Sequence, residues 1–149
     1  MTDGVETREW QPPRKFTARE RLTVGAEILA AYVKVRYVLA RNRALPDALA
    51  VLRRPPRSVL AHGWRSEYEA GYRYGQAVMR TLAILPTDSR CLMRSLVLLV
   101  LMNRRGIPVE LVIGVKSGGE DEFGAHAWVE LEGRSLLPPG ENFGRLGEF

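Results

Sequence analysis

Apolar residues recur at helical spacing through the first two thirds of the chain and change to strand-like runs beyond Pro108. Leu22, Ile28, Leu29, Tyr32, Val33 and Leu39 mark a first helix down to about Arg41, and Thr17 followed by Glu20 forms a capping-box pattern at its start. Pro46 and Asp47 suit the first turn of a short second helix ending near Arg54, where Pro55-Pro56 stops it. A third helix is predicted from Ser66 to about Leu85, with Glu69 completing another capping box. Its face of Tyr68, Tyr72, Gln76 and Met79 reads as core or partner surface rather than a cofactor site. The stretch "LPTDSRCLMRSLVLLVLMNRRGIP" then carries a fourth helix. Asp88 or Ser89 can cap it, Arg104 and Arg105 favour its negative end, and Gly106 suits the position just past it.

"VELVIGV", residues 109–115, is nearly apolar throughout, which predicts a central strand. "KSGGEDEFG" reads as a polar, glycine-rich connection. "AHAWVELEGRSLL" reads as a hairpin, with a strand over 125–131, a turn around Glu132-Gly133 and a return strand. Helices first and strands afterwards predict an α+β protein with an antiparallel sheet. Residues 1–16, with Pro12-Pro13, read as a mobile or loosely docked arm. Residues 17–85 form a helical portion and 86–149 a core that joins it in one compact unit, as suits a chain of 149 residues.

A net charge of +5 leaves nucleic acid, an anionic membrane surface and an acidic peptide or protein open as partners. The longest apolar run, Leu96 to Met102, is far short of the roughly 20 residues of a membrane span. The first sixteen residues lack the apolar core of a signal peptide. A single cysteine forms no internal disulfide, which removes the secreted disulfide frameworks and points to the reducing cytoplasm. "GGEDE" reads as a solvated loop, since no second ligand cluster accompanies it, so no metal is expected. "KSGG" lacks the strand–loop–helix context of a phosphate-binding loop, and no cofactor is expected. Lys34, Arg36, Arg41, Arg43, Arg53, Arg54 and Arg57 read as solvated surface or, more sharply, as a docking surface for an acidic partner.

The lone cysteine opens an apolar helix. A free thiol has a pKa of about 8.5, and unpaired N–H groups at a helix start lower it. Arg90 and Arg94 would act in the same direction. The position suits a nucleophile and equally a small core residue. A nucleophile needs an imidazole, and the chain has His62 and His126. His62 lies in an interhelical loop with no orienting framework and reads as surface or packing. His126 opens a strand directly after a glycine-containing loop, so a cysteine helix packed on that strand would assemble a Cys–His pair.

The motifs "CLMRSLVLLVLMNRRGIPVELVIGV" and "GAHAWVELEGRSLLPPGE" resemble the transglutaminase-like cysteine peptidases of lasso peptide biosynthesis, specifically the stand-alone leader peptidase of split systems. The likeness covers roughly residues 90–141, and the helical portion agrees in general character. It implies a papain-like fold, with N-terminal helices followed by a cysteine-bearing helix on a small antiparallel sheet, and catalysis by Cys91 and His126. It also implies a substrate, a ribosomally made lasso precursor whose leader is removed before a separate ATP-dependent cyclase closes the ring. A small leader-recognition protein, separately encoded, is the further partner implied.

The family commonly places a third catalytic residue, an aspartate, on the strand returning after the histidine. Here Leu137 and Pro138 stand at that point. Glu141 is the nearest acidic residue beyond, Asp121 precedes the histidine, and a backbone carbonyl could also hold the ring. Glu130 shares strand parity with His126, but four residues of strand put it about 13 Å away, too far to orient the ring directly. Two other functions compete with the peptidase: a basic nucleic-acid-binding protein, which lacks a recognition motif or stacking platform here, and a binding-only relative without turnover.

Overall fold

Four helices precede a four-stranded antiparallel sheet: α1 (Ala18–Arg41), α2 (Leu45–Leu52), α3 (Glu67–Leu82), α4 (Arg90–Asn103), β1 (Glu110–Gly118), β2 (Glu122–Leu131), β3 (Arg134–Ser135) and β4 (Gly144–Glu148). The computed structural model describes residues 14–61, 63–85, 90–118, 122–140 and 143–149. The expected α+β architecture is present, with strand order β3-β2-β1-β4 and β1 in the interior of the sheet. Most of the expected arm, residues 1–13, lies outside the described residues, as do the two expected caps of α4, Asp88 and Ser89.

Helix α4 is the centre of the molecule. Leu96 to Met102 is buried without interruption, and a helix apolar on every side is stable only when surrounded. Its neighbours are α1, α3, β1 and β2. Each fully buried leucine here contributes roughly 1.5–3 kcal/mol. At its C-terminal end Gly106 takes a positive φ of 67°, and the Ile107 N–H returns to the Met102 carbonyl at 3.0 Å, a glycine-terminated cap of the expected kind. Arg105 does not merely complement the helix end. Its buried guanidinium lies 4.0 Å from the Tyr74 ring centroid and bonds the Leu101 carbonyl and, at 2.7 Å, Glu27 of α1.

The capping box at Thr17 forms in full: Glu20 N–H donates to the Thr17 hydroxyl, and the Thr17 N–H donates to the Glu20 carboxylate. At Ser66 only half of it forms, because the Glu69 carboxylate accepts from the Arg65 N–H instead. The faces of α1 and α3 differ from expectation. On α1 the buried stripe is Val24, Ile28, Ala31, Val35 and Val38, while Leu22, Leu29 and Val33 are exposed. On α3 it is Ala70, Gly71, Tyr74, Gly75, Val78 and Leu82, one position round from the expected aromatic face. Small residues mark these contact faces because the neighbours come close. A Cβ on Gly71 would meet Leu136 Cδ1 at 2.7 Å, and one on Gly75 would meet the Leu136 carbonyl oxygen at 2.7 Å.

The expected hairpin is present, but β1 and β2 run on as far as Gly118 paired with Glu122. Ladder hydrogen bonds thus continue through much of the polar stretch read as a connection. The return strand is short, and Glu132 and Gly133 both adopt positive φ, as a two-residue primed turn requires. Strand β4 carries no strand-like alternation in sequence. It forms because β1 offers an open edge, and main-chain bonds between Leu111 and Phe149 close it. Arg53, expected as solvated surface, donates to the carbonyls of Val109 and Phe149 and ties both strand ends to α2.

Candidate active site

Cys91 is the second residue of α4, half-buried, and its carbonyl accepts the Ser95 hydroxyl at 2.8 Å. His126 lies on β2, the strand that α4 packs against. The helix that carries the thiol and the strand that carries the imidazole are therefore in contact. Arg94, one turn along α4 from Cys91, keeps its Nε buried, with no hydrogen-bond partner among the described residues. His62, Asp121 and Glu141 lie outside the described residues.

The His126 ring is held on several sides. Its Nε2 lies 2.9 Å from the carbonyl oxygen of Pro138. A carbonyl only accepts, so Nε2 carries the proton and Nδ1 presents the lone pair of the neutral ring. Pro138 stands where a carboxylate was expected, and its main chain supplies the contact that a side chain would have made. The indole of Trp128 stacks at 5.9 Å between centroids, and Phe143 packs at 5.2 Å.

Trp128 is itself fixed. Its Nε1–H donates to Glu130 at 2.7 Å, and the other oxygen of that buried carboxylate accepts from Arg145 at 2.7 Å. Arg145 also reaches Glu148 at 3.0 Å. His126, Trp128 and Glu130 alternate onto one face of β2, opposite Gly114, Val112 and Glu110 of β1. The absence of a side chain at Gly114 admits the indole, since a Cβ there would meet Trp128 Cζ3 at 2.8 Å. Glu130 accepts from Trp128 and Arg145, and it is Trp128 that stacks on the imidazole. The signal was in the sequence as His-x-Trp-x-Glu on one strand face, but strand parity and distance alone do not reveal the intervening indole.

Gly140 completes the enclosure with φ 75°, and a Cβ on it would lie 2.8 Å from the Phe143 ring and 3.3 Å from His126 Cδ2. Gly140→Ala is expected to add about 1–2 kcal/mol of left-handed backbone strain and to displace both rings. Thermal melts should show the small stability loss. Histidine NMR shifts should move in the same variant, and unmoved shifts would mean that the Pro-Pro-Gly segment does not hold the ring.

No cluster of three or more metal-ligating side chains occurs among the described residues. No helix of the described residues is long and apolar enough to cross a membrane. A family model described as the transglutaminase-like superfamily matches residues 29–146, a span that includes Cys91 and His126 and reaches back into α1. No curated protein and no solved structure matches the chain.

Proposed function

Because the chain belongs to the transglutaminase-like superfamily, we propose that it is a cysteine peptidase with Cys91 as nucleophile and His126 as its base. The observation that carries this reading is the Pro138 contact on Nε2, which leaves Nδ1 as the basic nitrogen of a ring carried by the strand that the Cys91 helix packs against. The thiolate attacks the scissile carbonyl, and the carbonyl π electrons move to oxygen. The Cys91 N–H, in the first turn of α4, is the natural first donor to that oxyanion. The imidazolium then protonates the departing amine, the C–N bond breaks, and a thioester remains. Water, deprotonated by the same ring, adds to the thioester, and collapse of that intermediate releases the acid and restores the thiol.

For the substrate we propose the leader region of a lasso precursor peptide, cleaved before a separate cyclase closes the ring. The two motifs around Cys91 and His126 support this choice. The small leader-recognition protein would tether the peptide nearby, since a short flexible tether raises effective concentration to about the millimolar range. Its proposed docking face is α1, where Leu29, Val33 and Tyr37 are exposed beside Arg36 and Arg41.

Mass spectrometry of precursor incubated with the protein, with and without the companion, tests both statements. Slow cleavage alone and faster cleavage with the companion, mainly through a lower apparent KM, is the expected result. Charge reversal at Arg36, Arg41 and Arg43 should remove most of that gain. No cleavage in either mixture sinks the peptidase reading, and equal cleavage in both removes the companion.

A further inference from the structure

A cavity of about 440 Å³ opens between α1 and α3, lined by neither Cys91 nor His126. Its size falls within the range of about 300–1,000 Å³ typical of ligand sites. The floor is apolar, made by Phe16, Val24, Ile28 and Ala77, and the walls carry Lys15, Arg21, Arg73 and Arg80. No carboxylate lines it among the described residues. The described acidic residues closest in sequence are engaged elsewhere: Glu20 with Arg14 at 3.0 Å, Glu27 with Arg105 at 2.7 Å, and Glu69 with Arg65 at 3.5 Å. Lys15, Arg21 and Arg80 put three positive charges around one concavity, and an anion placed among them offsets their mutual repulsion.

Gly25 adds an independent observation. It lies inside a helix of 24 residues, where glycine costs about 0.5–1 kcal/mol relative to alanine. A Cβ at this position would meet no atom within 4 Å, so packing of this chain does not require glycine there. Its effect is to keep the cavity open.

We infer that this cavity binds an acidic peptide segment, seating a carboxylate among Lys15, Arg21 and Arg80 and a neighbouring apolar side chain on the Phe16–Ile28 floor. The apolar floor favours a peptide over a nucleic-acid backbone, which presents phosphate without an aliphatic side chain. The inference deepens the peptidase reading, on which it rests for identifying the segment as part of the substrate: peptide is held at α1 and α3 while its scissile bond lies at Cys91.

Binding is measured apart from cleavage, by fluorescence anisotropy on the intact protein. The probes are a rhodamine-labelled peptide of alternating leucine and glutamate, its leucine–glutamine counterpart, a glycine–glutamate peptide, and a labelled oligothymidine. The leucine–glutamate peptide should bind at least about tenfold more tightly than either peptide control, a difference equal to about 1.4 kcal/mol. Gly25→Leu, which fills open space, and Arg21→Glu or Arg80→Glu, which reverse exposed charges, should each weaken it by a similar factor with circular dichroism unchanged. Equal binding of the glutamate and glutamine peptides overturns the inference. So does unchanged binding in both Gly25→Leu and Arg80→Glu, or tighter oligothymidine binding that these variants abolish. Peptide binding at the cavity without cleavage of the precursor would retain this site and remove the peptidase; cleavage without such binding would do the reverse.

Discussion

Cys91→Ala and His126→Ala are each expected to lower precursor cleavage by about a thousandfold or more, because a nucleophile and its base act as one unit. Glu141→Gln and Asp121→Asn should each leave measurable cleavage. The difference follows from what holds the imidazole. The Pro138 carbonyl accepts the Nε2 proton, and the stacked rings of Trp128 and Phe143 fix the plane. None of these contacts requires a carboxylate at 121 or 141. Single-turnover cleavage by the four variants, each checked for folding by circular dichroism, is the measurement. A complete loss in a folded carboxylate variant would name that residue as the third catalytic member and reduce Pro138 to a neighbour. Full activity in Cys91→Ala would remove the thiol from the chemistry altogether.

The parts of the fold legible in sequence are those written in side-chain pattern. The α4 run from Leu96 to Met102 is apolar on all sides and is buried on all sides. The Thr17–Glu20 box caps a helix, and the Glu132-Gly133 pair turns a hairpin. What the pattern concealed depends on the main chain or on approach distance. Strand β4, "GRLGE", has no alternation to read, because its place follows from the open edge of β1. The core face of α3 is marked by Gly71 and Gly75, whose value lies in letting Leu136 and its carbonyl come close. The same holds at the site. Cys91 and His126 stand out as residue types with chemistry, whereas the partner of His126 is a proline carbonyl, a group that every residue possesses and no letter announces. Glu130 is visible in the sequence two residues beyond Trp128, but its hydrogen bond to the indole depends on where that ring sits.

The link between α1 and the end of α4 has the largest expected effect on stability. Arg105 is 3% exposed in its side chain and Glu27 is 18% exposed, with 2.7 Å between their charged atoms. Removing one partner of a buried pair leaves an uncompensated charge, which costs about 3–5 kcal/mol. The residual exposure of Glu27 lets water reach the orphaned guanidinium, so the lower end of that range applies. Glu27→Leu should therefore destabilise by about 3 kcal/mol, a fall in Tm of roughly 10 °C for a chain of this size. Adding Arg105→Met should recover most of the loss, since apolar replacement of both partners removes the buried charge together with its counter-ion. Denaturant unfolding of the two single variants and the double variant gives the coupling energy directly. A loss below about 1 kcal/mol in Glu27→Leu would mean that the Leu101 carbonyl and the face of Tyr74 suffice to hold Arg105. The expected result would instead make the ion pair the clamp that fixes α1 against the helix bearing Cys91.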